Sequence, residues 1–243
     1  MYKKRIMSVL IPAAGISRRM EGLGSKPYIT LFGKSVLYYV LRAFAASPYT
    51  GEIIAAVRAG EEDLACRAAA EACPDIPFKT VIGGMTRQES VYSAIKASDG
   101  SFRLIAVHDA ARPCITSDLI NRVAEAALAA GAATAASPMT DTVGVIETSK
   151  EGTVISGYED REQLVRIATP QIFDRKILIA AHEAARANAL SFTDDSSLVR
   201  SAGTRAMAVI TNENNIKITV PADLATASAT LSGMINIDEK DGS

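Results

Sequence analysis

Apolar runs of strand length recur along the chain, separated by segments whose apolar residues return at helical spacing. "SVLIPA" is followed by "SVLYYVLRAFAAS", an amphipathic helix candidate. "EIIAAV" then precedes a helix over about residues 61–72, and "FKTVIGG" one over about 88–97. "RLIAVHD" leads to a helix at 117–130, where "TSDL" supplies N-cap residues and an acid for the first turn. "AATAASP" reads as a fifth strand. These strands are apolar on both faces, as expected of a sheet covered by helices on each side. Strand–helix alternation with right-handed crossovers predicts a doubly wound, mostly parallel α/β sheet, whose ligands sit beyond the carboxyl ends of the strands.

The rhythm breaks between about residues 138 and 169. There "TDTVGVIETSKEGTVISGYEDREQ" carries two β-rich runs around the turn "SKEG", the pattern of a hairpin. The expectation is a single domain over 1–243 with a β-arm inserted at about 139–163. A lone two-stranded arm is marginal in water, so a partner subunit is expected to cover it. Beyond it the pattern predicts a helix near 174–188, a loop "FTDDSS", strands "RAMAVIT" and "NIKITV", and a last helix from "PADL". The polar tail "NIDEKDGS" is expected to fray.

Composition narrows the class of protein. Of the 243 residues 48% are hydrophobic, yet no uninterrupted apolar run reaches transmembrane length. The start "MYKKRIMSVLIPAAG" has the basic opening of a leader. Its apolar part is short and runs into a Gly- and Arg-rich turn, so it reads as a first strand of a cytoplasmic protein. Cys66, Cys73 and Cys114 form no CxxC pair and no zinc set with the two histidines. A net charge of −1 argues against a general nucleic-acid binder. Any anion site must come from local clustering.

Such a cluster follows the first strand, in "PAAGISRRMEGLGSK". A dinucleotide fingerprint would need glycines where the chain has Gly15, Ser17 and Met20, and a P-loop ending at "GKS" would need glycine at Tyr28. What remains is a small-residue turn, Ala13 to Gly15, that lets backbone N–H groups approach a ligand, with Arg18, Arg19 and Lys26 as fixed positive charge. Phosphoryl and nucleotidyl transfer depend on that kind of charge placement; the alternative is a solvated basic loop. In "VHDAARP", Asp109 stands where a strand ends and can hold Mg²⁺ or a substrate hydroxyl, with Arg112 for a second anion. A turn or cap role is the alternative for Asp109, and His108 reads as a structural residue. "IGGMTRQES" offers Gly83 and Gly84 for close contact with a base or ribose, with Arg87 and Ser90 nearby, or an ordinary turn. Lys217 interrupts the apolar "NIKITV", with Ile216 and Ile218 on the opposite face, so a solvent-facing edge lysine is its alternative. "FTDDSS" reads as an N-cap with first-turn acids. There is no Ser-His-Asp order and no Tyr-x-x-x-Lys pair.

Taken in order, "PAAGISRRM", "SKPY", "GGMTRQESV", "HDAARP", "PMTDTV", "ATPQIF", "TDDSS" and "NIKIT" resemble the 2-C-methyl-D-erythritol 4-phosphate cytidylyltransferase family over nearly the whole chain. The resemblance implies a Rossmann-like nucleotidyltransferase fold, and a reaction of CTP with a polyol phosphate that releases pyrophosphate and uses Mg²⁺. It implies that Arg19 and Lys26 stabilise the transition state on the triphosphate, and that Arg161 and Lys217 position the attacking phosphate. Ala13, Ala14, Gly15, Gly84 and Ser90 would surround the cytidine, with Arg87 and Ala110 in the same nucleotide pocket. Asp109, Arg112, Thr142 and Thr169 would hold the substrate region, Asp109 being the metal candidate. It further implies a homodimer in which the arm crosses the two-fold, so that Thr142 and Arg161 serve the neighbour's site. The chain departs from the family pattern at Pro27 (commonly Gln), at Met85 (commonly acidic or polar) and at Gly144 (often basic). Ribitol 5-phosphate cytidylyltransferases share the fold and much of the chemistry, but tend to read "AGG" and "HDAVRP". A catalytically idle nucleotide-binding protein is the alternative from another class.

Overall fold

The structure, a computed structural model, describes residues 5–15 and 24–241, with 236–241 described by backbone alone. In chain order the elements are β1 (Met7–Pro12), β2 (Thr30–Leu31), β3 (Lys34–Ser35), α1 (Val36–Ala46), β4 (Thr50–Val57), α2 (Glu62–Ala72), β5 (Phe78–Ile82), α3 (Arg87–Ala97) and β6 (Leu104–Val107). They continue with α4 (Ser117–Ala130), β7 (Ala132–Pro138), β8 (Val143–Ser149), β9 (Gly152–Glu159), β10 (Val165–Asp174), α5 (Arg175–Ala187), α6 (Asp195–Ser201), β11 (Met207–Ile210) and α7 (Asp223–Asp241). The main sheet has seven strands in the order β11-β7-β10-β6-β1-β4-β5. Its ladders are parallel except where β10 meets β6 and β7.

Period-two alternation along largely apolar strands explains why helices cover both faces. Val9 and Ile11 of β1, with Ile53, Ala55 and Val57 of β4, join the core beneath α1, α2 and α4. Leu10, Ile54 and Ala56 face the other way and meet Val91 and Ile95 of α3, Leu178 of α5 and Leu198 of α6. Each fully buried aliphatic side chain contributes about 1.5–3 kcal/mol of transfer free energy. Helix starts are set by side-chain caps. Ser35, Thr116, Asp174 and Asp194 each accept a first-turn N–H, and Thr86 with Glu89 forms a reciprocal capping box on α3. Gly131, at φ 82°, ends α4 in the left-handed conformation that favours glycine.

Four features differ from the sequence pattern. The ten-residue β10 is an interior strand that the pattern does not disclose. Its ladder with β7 shifts register between Ile167 and Gln171, around Pro170, which has no N–H to donate. A short antiparallel pair, β2 with β3, precedes α1. "NIKITV" is not a strand: Ile218 N–H bonds the Ala111 carbonyl at 2.8 Å outside any ladder, and Ile218 packs with Leu31 and Leu231 in a separate cluster. Residues 236–241 of the expected frayed tail instead form the last turns of α7, which runs to Asp241.

The chain leaves the main sheet after Pro138 and rejoins it at Val165, where those two residues pair. Between them β8 and β9 form their own antiparallel pair. Ile146, Val154, Ile155 and Tyr158 on this hairpin are more than 60% exposed. Among the described residues no helix is long and apolar enough to cross a membrane.

Candidate active site

Chain reversals at the carboxyl ends of β1, β4, β5 and β6 converge on one edge of the sheet. After β1, the Ala13 N–H bonds the Ala56 carbonyl at 2.7 Å, and the guanidinium of Arg58 donates to the carbonyls of Ala14 and Gly15. Arg58 thus holds the turn by its oxygens, a role not evident in the sequence. Gly83 packs so tightly here that a Cβ would lie 2.4 Å from the Ala14 Cβ and 2.9 Å from Ser90 Oγ. Ser90 Oγ accepts from Gly84 N–H at 3.1 Å and donates to the Thr86 carbonyl at 2.9 Å, tying the glycine loop to the start of α3. Two adjacent loops are therefore locked together by small residues.

Ala13, Ala14, Gly15, Lys26, Gly84, Arg87, Ser90, Asp109, Ala110 and Lys217 all line one cavity of about 240 Å³. A neighbouring cavity of about 690 Å³ is bounded by Arg112, Thr169, Gln171, Asp194, Ser196, Arg200 and Arg205. Arg87, Asp109 and Lys217 belong to both walls. Residues separated by up to 130 positions are thereby brought to one partition between two spaces.

Asp109 is the centre of that partition. It is 8% exposed. Its Oδ1 accepts from Arg87 Nε at 3.2 Å, while Oδ2 lies 2.8 Å from Lys217 Nζ and 3.5 Å from Arg112 Nε. Burial pushes the carboxyl upward, but Arg87, Lys217 and Arg112 outweigh it and hold the group ionised well below the usual carboxylate range. Arg87 in turn donates Nη1 to Asp195 Oδ2 at 2.6 Å. Burial opposes its charge, and the two carboxylates more than restore it, so its pKa rises. Among the described residues its Nη2 is buried without a hydrogen-bond partner.

Lys217 reaches Asp109 because the neighbouring isoleucines face the core and the coil is pinned by Ile218 to Ala111. In place of a solvent-facing edge lysine, Lys217 forms an ion pair with Asp109 while its side chain stays 45% exposed. Lys26 opens a 3-10 turn (Lys26–Tyr28), with Pro27 at its start and buried. Its Nζ donates to the Thr219 carbonyl at 3.0 Å, linking the two lysine-bearing segments. Arg112 Nη1 donates to the Asn215 carbonyl at 2.7 Å, and Asn215 Nδ2 to the Thr169 carbonyl at 2.6 Å. Asn215 therefore braces two candidate residues.

His108 is fully buried. Its Nε2 lies 3.2 Å from the Arg112 carbonyl, which can only accept, so that nitrogen carries the proton. Nδ1 then accepts from Thr169 Oγ1 at 3.1 Å, and Thr169 Oγ1 accepts from the Asp109 N–H at 3.0 Å. Burial pushes the imidazole pKa down to about 4, keeping the neutral form that this chain of bonds requires.

Two predicted residues are not gathered here. Thr142 and Arg161 lie exposed on or beside the arm, line neither cavity, and Arg161 Nη1 donates to the Thr140 carbonyl at 3.0 Å. Arg18 and Arg19 lie outside the described residues. Met85, 93% exposed, stands at the edge of the smaller cavity, and Gly144 sits on β8. Gln171 and Asp195 are site components whose motifs were visible but whose contacts were not. Gln171 Oε1 accepts the backbone N–H groups of Asp195 and Ser196 at 3.0 and 3.1 Å.

A mostly parallel, doubly covered sheet with paired cavities at its carboxyl edge, parted by arginine, lysine and the carboxylate of Asp109, defines a nucleotidyltransferase-type α/β protein. Residues 7–233 match the family of 2-C-methyl-D-erythritol 4-phosphate cytidylyltransferase, and the chain belongs to that family. The protein of that name from Solibacter usitatus is 35% identical over 228 residues, covering 91% of this chain and 93% of its own. That from Caldanaerobacter subterraneus is 38% identical, covering 91% and 96%. The crystal structure of 4-diphosphocytidyl-2C-methyl-D-erythritol synthase from Anaerococcus prevotii superimposes with a TM-score of 0.82 at 29% identity, covering 95% of this chain and 98% of that one. The Thermus thermophilus cytidylyltransferase superimposes with a TM-score of 0.74 at 34% identity, covering 91% and 97%.

Proposed function

We propose that the protein transfers CMP from CTP to 2-C-methyl-D-erythritol 4-phosphate, giving 4-diphosphocytidyl-2-C-methyl-D-erythritol and pyrophosphate in non-mevalonate isoprenoid biosynthesis. The observation that carries this reading is the wall of Arg87, Asp109 and Lys217 shared by the two cavities. A nucleotide in the smaller and a polyol phosphate in the larger would meet across it. The substrate's phosphate oxygen attacks the α-phosphorus, the bond from that phosphorus to the β-phosphate oxygen breaks, and pyrophosphate leaves with the electron pair. The nucleophile is already anionic at neutral pH, so the chemistry requires no protein base. What must be overcome is the repulsion of two anions, and placed cations do that.

Lys26 and, outside the described residues, Arg19 face the triphosphate in this reading. Lys217 and Arg112 receive the attacking phosphate. Ala13, Ala14, Gly15, Gly84, Ser90 and Ala110 enclose the cytidine by close backbone approach. Asp109 and Thr169 orient the polyol end. Asp109 also suits Mg²⁺, which is commonly held by one or two carboxylates together with substrate phosphates. When bound, Mg²⁺ would neutralise the triphosphate and the departing pyrophosphate. Lys217, half in solvent, can then leave Asp109 for a phosphate.

The reading includes a homodimer. The exposed apolar hairpin is an unstable isolated element, and a second copy lying on it would also bring Thr142 and Arg161 to the neighbour's larger cavity. It includes a cytoplasmic location, where CTP is made. The deciding experiment incubates the protein with CTP, Mg²⁺ and each polyol phosphate in turn and measures pyrophosphate. Release with 2-C-methyl-D-erythritol 4-phosphate is expected; release with ribitol 5-phosphate alone, or with neither, would overturn the assignment.

A further inference from the structure

We infer that Asp195, at the start of α6, is a positioning residue for the reaction: it holds Arg87 in the orientation that fixes the Asp109 carboxylate between the two cavities. The inference rests on the proposed transfer reaction, in which Asp109 faces substrate. The sequence pattern makes Asp195 a first-turn acid, and a helix-capping group would point to solvent or to backbone. Asp195 does neither. It is 1% exposed, and Asp194, not Asp195, caps the helix. The Asp195 backbone is fixed to the central sheet through Gln171 Oε1, itself on β10 and 1% exposed. Its Oδ2 takes Arg87 Nη1 at 2.6 Å, and its Oδ1 faces His182 Nε2 at 3.4 Å.

Arg87 begins α3, which shares one face of the sheet with α6, and its long side chain is only 25% exposed. A guanidinium carries donors in a rigid fork, so anchoring Nη1 on one carboxylate sets the direction of Nε. That Nε is the atom which holds Asp109 Oδ1 at 3.2 Å. Without the anchor, Arg87 would gain a second arrangement, pairing with Asp109 by both ends of the fork and turning the carboxylate away from Lys217. Asp195 therefore reaches the reacting groups through Arg87 without touching them. The nucleotide-pocket role expected of Arg87 is correspondingly narrowed: two of its nitrogens are committed to carboxylates, and Nη2 is itself buried.

The test combines kinetics with a spectroscopic reading of Arg87. Asp195→Asn is nearly isosteric and removes the charge. Loss of a partner of this kind lowers activity about 10- to 100-fold, and the loss should fall on kcat more than on the KM for CTP. In an Arg87→Lys background, where a point charge replaces the fork, Asp195→Asn should cost nothing further. In a Lys26→Ala background the two losses should multiply. The ¹⁵N–¹H resonance of Arg87 Nε, assigned by its disappearance in Arg87→Lys, should be slowly exchanging in the native protein and averaged with solvent in Asp195→Asn. Unchanged turnover, losses that multiply with Arg87→Lys, or an unaltered Nε resonance would each overturn the inference. Should Asp195→Asn not fold, Arg87→Lys decides: an equivalent loss of kcat sustains the inference and normal turnover overturns it. A native protein that releases no pyrophosphate refutes the reaction itself, while the Arg87 resonance still reads the anchor.

Discussion

Replacing Lys217 with methionine separates charge from packing, because the stem that leaves the apolar coil is retained. At about 4 Å two unit charges attract by roughly 4 kcal/mol at an effective dielectric near 20. The side chain is 45% exposed, so solvent reduces the ground-state contribution to about 1–2 kcal/mol, or roughly a 5- to 30-fold loss in holding the polyol phosphate. As charge redistributes around phosphorus, losing one preorganised donor costs a further ~10²–10³ in kcat. Both effects predict a fall in kcat/KM of about 10³ or more. Stability should change little, because Arg87 and Arg112 still compensate Asp109. Pyrophosphate release under saturating CTP and Mg²⁺, with polyol phosphate varied, resolves the two effects, and a thermal melt checks the fold. A variant losing less than about tenfold in kcat/KM, with its fold intact, would refute the assignment of Lys217 to the attacking phosphate.

Three further outcomes are expected. His108 has a folded pKa near 4 against about 6.5 unfolded, so its contribution is fully present above pH 6.5 and declines as pH falls toward 4. That window should hold roughly 3 kcal/mol of acid destabilisation, and urea titrations of His108→Gln should show a shallower pH dependence there. Gly83→Ala must displace Ala14 or Ser90, an overpacking cost of about 1–3 kcal/mol. It should raise the KM for CTP while leaving the KM for polyol phosphate nearly unchanged, as initial-rate measurements would report. Deleting residues 141–161 should give a monomer without turnover by sedimentation and activity assay; a dimeric, active deletion would contradict the shared-site reading.

The strands beneath the site were legible because they are apolar on both faces, a pattern available only to a doubly covered sheet. Residues at strand ends, Asp109 and Gly83 among them, were legible because topology alone places them at the ligand edge. What stayed hidden required contacts across long sequence separations. β10 breaks its own period at Pro170, so the strand that carries Thr169 and Gln171 was not visible. The alternation of "NIKITV" predicts a strand for Lys217, yet it sits on a coil whose isoleucines alternate for core packing rather than for a ladder. Arg58 and Asn215 act on backbone carbonyls, and no local pattern marks a side chain that braces a loop elsewhere. Asp195 looked like helix chemistry because its neighbour Asp194 is the cap.

The central claim is that cations from distant parts of the chain hold two mutually repelling phosphates against one carboxylate. A crystal structure with Mg²⁺, 2-C-methyl-D-erythritol 4-phosphate and the α,β-methylene analogue of CTP tests it most directly. Lys26 should be found about 3 Å from a triphosphate oxygen, and Lys217, released from Asp109, the same distance from the polyol phosphate. Both ligands bound with either lysine directed to solvent would contradict the account.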